Sequence, residues 1–125
     1  MMSFESRVRM MKTFSQAVLI QVAAYLQVLA EPMRLKILQV LRSSDRTVGE
    51  VVEAVEGNQA NVSKHLRILL DAGIVSRRAE GTSAIYSIAD PAIFDLCDIV
   101  CDRLAARIEA QHILRESLTR RETNV

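Results

Sequence analysis

The chain has no tryptophan and only five other aromatic residues, two Tyr and three Phe, among 125. Its core must therefore be aliphatic, built from Leu, Val, Ile, Ala and Met. Glycine and proline are also scarce, with four and two copies, which suits a mostly helical protein. Two cysteines are too few for a disulfide framework. They read as reduced thiols of a cytosolic protein, or as a reactive pair. No apolar run reaches the roughly 20 residues of a membrane span. The nearest candidate, residues 17–30, is interrupted by Gln21 and Gln27. Residues 1–14 carry Arg7, Arg9 and Lys12 but no apolar stretch of a signal peptide. A soluble, cytoplasmic chain without a membrane partner is expected. There is no Gly-rich phosphate loop, no Ser/His/Asp set and no complete metal-ligand cluster, so an enzyme is not expected. A net charge of +1 leaves charge placement, not bulk charge, to indicate partners.

What is present is a high apolar content, half of all residues. That is enough for one packed domain at this length. A domain this small buries a limited share of its surface, and dimer formation would add to its stability.

Punctuation divides the chain clearly. Residues 1–14 are expected to be a flexible extension, 15–118 the folded domain and 119–125 a flexible tail. A first helix over residues 15–30 starts at Ser15, a good N-cap, with Leu19, Val22, Ala23, Leu26 and Leu29 at helical spacing. Glu31-Pro32 breaks it, and Pro32 opens a second helix carrying Leu35, Ile37, Leu38 and Leu41. Residues 43–46 read as a loop. Thr47 with Glu50 forms a capping-box pattern ahead of Val48, Val51, Val52 and Val55, and Gly57 is the expected stop. Asn58 caps a fourth helix, residues 59–72, with Val62, Leu66, Leu69 and Leu70 inward and Gly73 at its end. Residues 74–78 and 84–88 read as two strands joined by a turn at Glu80-Gly81-Thr82. Asp90-Pro91 opens a last helix to about Leu118. The fold class expected is mainly α with a small β-hairpin, in the order α-α-α-α-β-β-α. The third and fourth helices joined by a tight turn form a helix-turn-helix pattern, and the hairpin after them is a wing.

The outward positions of the fourth helix are Gln59, Asn61, Ser63, Lys64 and Arg67, flanked by His65. Short amides and hydroxyls can bond base edges in the major groove, and Lys and Arg reach guanine or phosphate. Residues 58–88 hold four cations against Asp71 and Glu80, a net +2 that exceeds the whole chain's charge. Arg77 and Arg78 fall on the wing, with Thr82 at its tip, where phosphate or minor-groove contact is expected. An ordinary solvated helix face is the plainer reading of the same residues. A winged-helix protein–protein module is the alternative from another class.

The stretch 29–38, Leu-Ala-Glu-Pro-Met-Arg-Leu-Lys-Ile-Leu, resembles the opening helix junction of ArsR/SmtB-type regulators. Residues 61–69, Asn-Val-Ser-Lys-His-Leu-Arg-Ile-Leu, resemble their recognition helix, and 72–81 their wing. The resemblance covers about residues 20–110. It implies a homodimer, joined through the first and last helices, that represses an operator in double-stranded DNA and releases it when an inducer binds. The family's metal sites are not matched. Thr47-Val48-Gly49-Glu50 has no thiol where some members carry cysteines. On the last helix Asp90 matches a zinc position, but Ala92, Arg103 and Ala106 stand at the others.

Cys97 and Cys101 lie four residues apart on the last helix, hence on one face with Ile93, Val100, Leu104 and Ile108. Two readings stay open. They are small core residues, or they sense a thiophilic effector such as trivalent arsenic, another soft metal ion, or reactive sulfur. An effector read without thiols is the further alternative. A disulfide within one helix is awkward, because Cβ atoms at this spacing lie about 5–6 Å apart while a disulfide wants about 3.8 Å. A soft ion bridges two thiolates with less distortion. His112, also on this helix, reads as a surface residue, with a place in a metal site across the dimer as the alternative.

Overall fold

The computed structural model describes residues 3–7 and 14–123. Most of the expected N-terminal extension lies outside them; residues 4–7 form a helical turn. The chain divides into two compact units, Met1–Ala89 and Asp90–Val125. The first unit holds α1 (Gln16–Leu29), α2 (Pro32–Ser43), β1 (Arg46–Thr47), α3 (Val48–Val55), α4 (Gln59–Asp71), β2 (Val75–Glu80) and β3 (Ser83–Ile88). The second is built on α5 (Ala92–Thr123). This is the mainly helical architecture with a wing that the sequence predicts, with one addition. The sheet has three strands, not two, in the order β1-β3-β2, all antiparallel. Arg46 and Thr47, expected in or beside a loop, pair with Tyr86 and Ile85 of β3. Two residues are too few for a strand pattern to show in sequence.

Side chains set the helix starts. Ser15 accepts from the Val18 amide, Glu31 from the Arg34 amide at 3.0 Å, and Asn58 from the Asn61 amide at 2.8 Å. Pro32 follows Glu31 in the first turn of α2, and the α1–α2 junction bends by 74°. At α3 both halves of the capping box form: Thr47 Oγ1 accepts from the Glu50 amide at 3.2 Å, and Glu50 Oε1 accepts from the Thr47 amide at 3.0 Å. The hydrogen bonds from Thr47 hold the Glu50 carboxyl below its ordinary range. Replacing Thr47 by Ala should cost about 1 kcal/mol in a denaturant titration. The Glu50 contribution is complete above the ordinary carboxylate range and is lost as pH falls through its lowered value. The stability gap between the native protein and Glu50→Ala should therefore close on acidification. A gap independent of pH would refute the ionic half of the box.

The helix ends differ from each other. α4 ends as expected at Gly73, whose φ of 75° closes a Schellman turn: its amide reaches Leu70 O and the Ile74 amide reaches Leu69 O, both at 3.0 Å. At the end of α3 the left-handed residue is Glu56 (φ 55°, ψ 38°), not Gly57. Gly57 is needed for space instead. A Cβ there would lie 3.1 Å from Val62 Cγ2, so this glycine lets α4 start close against α3.

The core joins α1 through Leu29, α2 through Ile37, Leu38 and Leu41, α3 through Val51 and Val55, and α4 through Val62, Leu66 and Leu69, with Ile74 and Val75 leading into the sheet. Of the expected inward residues, Leu35 is exposed, and α1 buries only Leu29 while Leu19 and Leu26 stay nearly half exposed. In the second unit Asp90 Oδ1 accepts from the Ala92 amide at 3.1 Å, so Pro91 precedes the helix instead of opening it. α5 runs past Leu118 to Thr123, through residues read from sequence as tail. Every residue from 98 to 120 is exposed, including Val100, Leu104 and Ile108. No single helix among the described residues is long and apolar enough to cross a membrane.

Candidate nucleic-acid interface

Burying Val62, Leu66 and Leu69 turns the opposite side of α4 to solvent. Gln59, Asn61, Ser63, Lys64 and Arg67 are all exposed there. His65 departs from that set. Its side chain is 12% exposed and turns toward the start of α2, with Nε2 3.8 Å from Glu31 Oε2. That is too long for a hydrogen bond, and the buried Nδ1 has no partner among the described residues. His65 therefore packs mostly buried beside the α2 cap, apart from the exposed polar positions of α4. Arg67 carries an exposed ion pair to Asp71, Nε to Oδ1 3.1 Å, one helical turn on. Such a pair contributes well under about 1 kcal/mol, so a phosphate can displace it.

The wing separates its two arginines. β2 and β3 pair from Val75↔Ile88 to Glu80↔Ser83, and the loop is Gly81-Thr82 with Gly81 at φ 62°. Glycine at the first loop position suits a two-residue hairpin turn. Thr82 is exposed at the tip. Side chains alternate across a strand, so Arg77 and Arg78 emerge on opposite faces of the sheet. Arg77, opposite Tyr86, lines an open groove with Ser63 of α4, Thr47 and Gly49 at the start of α3, and Ser83. Arg78 lies on the other face, Nη1 2.8 Å from Asp45 Oδ2 and 3.3 Å from Ser87 Oγ, with Nη2 3.7 Å from Glu80. The two arginines expected together as wing contacts thus stand on opposite faces of the sheet, Arg77 at the groove and Arg78 beside Asp45.

The groove also brings in residues that sequence reading passed over: Gly49, Ser83 and Tyr86. The capping box was the signal for the first. It marks a helix start, whose first amides have no acceptor within the helix. Nothing local marked Ser83 and Tyr86, which enter only through β-pairing. Neither Arg77, which lines the groove, nor Lys64, exposed next to Ser63 on α4, has a carboxylate partner among the described residues.

On α5, Cys97 is half-buried and Cys101 exposed, and neither forms a disulfide. Among the described residues no three or more His, Cys, Asp or Glu side chains cluster to hold a metal. His112 pairs instead with Glu116 at 3.3 Å, and Asp90 is engaged at the start of α5. The α5 thiols are two donors four residues apart, fewer than the four ligands of a structural zinc site; thiolates as a class favour soft ions.

Residues 31–77 match the family described as "Bacterial regulatory protein, arsR family". Over 74 residues the chain is 43% identical to the "Probable mercury resistance operon repressor" of Streptomyces lividans, a match that covers 59% of each chain. It is 37% identical over 92 residues to the HTH-type transcriptional regulator Rv0081 of Mycobacterium tuberculosis, covering 73% of this chain and 80% of that one. The crystal structure of Rv0081 superposes with a TM-score of 0.68 at 35% identity, over 79% of this chain and 99% of that chain. The homodimeric winged helix-turn-helix DNA-binding domain Mb0332 of Mycobacterium bovis gives 0.65 at 33% identity, over 76% and 94%.

Proposed function

Because this chain belongs to the ArsR family of bacterial regulatory proteins, which are transcriptional regulators and not enzymes, we propose that it is a homodimeric repressor that binds double-stranded operator DNA in the cytoplasm. One observation carries the reading. Ser63 on the exposed face of α4 and Arg77 on the wing line a single groove, so one surface offers base-reading amides and hydroxyls beside a phosphate-binding cation. Gln59, Asn61 and Ser63 read base edges, Lys64, Arg67 and Arg77 hold phosphates, and Thr82 follows the wing tip along the backbone. Two copies would set their α4 helices one DNA turn apart, about 34–36 Å. The test is a mobility shift with the DNA upstream of the protein's own gene. Retardation competed by that DNA, and not by a scrambled duplex, is expected. Equal competition by both would refute operator recognition.

The inducer, on this reading, is a thiophilic species taken by Cys97 and Cys101. The support is their shared helix face and the exposure of Cys101. Each thiol would release its proton to solvent as its sulfur bonds the ion. Bridging the two thiols alters how α5 meets its counterpart in the dimer, and so the spacing of the half-site readers. A hundredfold preference for the DNA-free state supplies about 2.7 kcal/mol. Titrating the operator complex with mercuric ion, arsenite, cadmium and a polysulfide donor should release DNA from the native protein with at least one of them. Cys97→Ser and Cys101→Ser should each hold DNA under the same titration. Release from both variants at native concentrations would assign induction to an effector read without thiols.

A further inference from the structure

Arg78 sits on β2, an edge strand, yet its guanidinium reaches Asp45, the residue just before β1 on the opposite edge. The register explains how. Arg46 lies opposite Tyr86, which places Asp45 beside Ser87 one step along β3, and Arg78 is paired with Ile85. Residues 78, 80, 85 and 87 share one sheet face. The Arg78 side chain crosses the central strand on that face, donating to Ser87 Oγ at 3.3 Å on the way and to Asp45 Oδ2 at 2.8 Å at its end. Its second branch lies 3.7 Å from Glu80, near the hairpin tip. Arg78 and Asp45 are both about half exposed, so the tie rests less on charge than on geometry: one planar, two-branched cation joins Asp45 and Ser87 and lies beside Glu80, linking the wing to the loop that leads into α3.

We infer that Arg78 is a positioning residue: its bridge to Asp45 fixes the angle of the wing against the helix-turn-helix, so that Arg77 alone of the pair meets phosphate. The inference rests on the DNA-binding reading above and adds a division of labour between adjacent arginines. Sequence alone gives both the same role. β1 is only two residues long and holds to β3 by the pairs Arg46↔Tyr86 and Thr47↔Ile85. A side-chain tie across all three strands supplements that short ladder.

The decisive variant is Asp45→Ala, because two accounts give opposite signs. If the groups acted only by charge, removing a carboxylate near the DNA would tighten binding. If Arg78 held the wing, the same change would loosen the hairpin and weaken binding. We expect Asp45→Ala, Arg78→Ala and the double variant to weaken operator binding by a similar factor, a few-fold, with the double variant no worse than either single one. The slope of log K against log salt should stay native in Arg78→Ala and fall by about 0.9 in Arg77→Ala. Arg78→Lys, which keeps the charge and loses the two-branched geometry, should behave as Arg78→Ala. Exchanging the pair, Asp45→Arg with Arg78→Asp, should restore affinity. Tighter binding by Asp45→Ala, or a salt slope reduced in Arg78→Ala and kept in Arg78→Lys, would overturn the inference and make Arg78 a phosphate contact. Hydrogen exchange in the free protein keeps this test separate from the DNA reading. Residues 75–88 should exchange faster in Asp45→Ala and Arg78→Ala than in the native chain, whether or not any DNA binds, and unchanged exchange would also overturn the inference.

Discussion

Leu66→Ala is expected to destabilise the protein by about 2–5 kcal/mol, the largest effect of any single substitution considered. Leu66 is fully buried on α4, whose inner face packs on α2, α3 and β2. Truncation removes most of a side chain from a close-packed site and leaves a cavity that rigid helices on several sides cannot close. Small domains have only about 5–15 kcal/mol in total. The variant should therefore unfold at a much lower denaturant midpoint with an unchanged slope. Because α4 also bears the exposed polar face, DNA binding would fail in proportion to the unfolded fraction, while whatever remains folded would bind normally. A midpoint shift equivalent to less than about 1 kcal/mol would contradict the buried placement of Leu66.

The second large effect concerns charge. Lys64→Ala combined with Arg77→Ala should lower the salt slope by about 1.8 and weaken binding by one to two orders of magnitude at physiological salt. Arg77 lines the groove and Lys64 is exposed next to Ser63 on α4, both without a carboxylate partner among the described residues, so each is available for a phosphate. The loss should be similar for operator and unrelated duplexes, since phosphates carry no sequence. Asn61→Ala and Ser63→Ala would instead narrow the gap between operator and unrelated DNA. If the double variant kept the native slope, the phosphate seat would lie elsewhere on the surface. Thermal melting of the double variant should match the native protein, because both side chains are exposed and neither enters the core.

The two expectations draw on different levels of the molecule. Leu66 could be assigned from spacing alone: it falls four residues after Val62 and three before Leu69, and such a stripe has no stable place except a core. The caps were equally plain. Ser15, Thr47, Asn58 and Gly73 act through hydrogen bonds or dihedrals within five residues, and local chemistry of that kind is written in local sequence. The exposed polar positions of α4 followed from the same periodicity, with His65 as the exception. Its flank position left it free to turn either way, and in the fold its ring turns toward Glu31, 34 residues earlier in the chain.

By itself, then, the sequence determined the helix order, the starts of the first four helices, the aliphatic core of α3 and α4 and the exposed polar face of α4, because each depends on side-chain period or on a cap within reach along the chain. Tertiary structure alone decided the rest. It decided that residues 46–47 form a third strand, that Glu56 and not Gly57 takes the left-handed turn, and that Gly57 is spared for Val62. It also decided that Arg77 joins Ser63 at the groove while Arg78 reaches back to Asp45. Each of these outcomes rests on which residues from distant segments come to lie side by side. A strand's alternation places neighbours such as Arg77 and Arg78 on opposite faces, but only the packing of the sheet against α3 and α4 decides which face meets the groove.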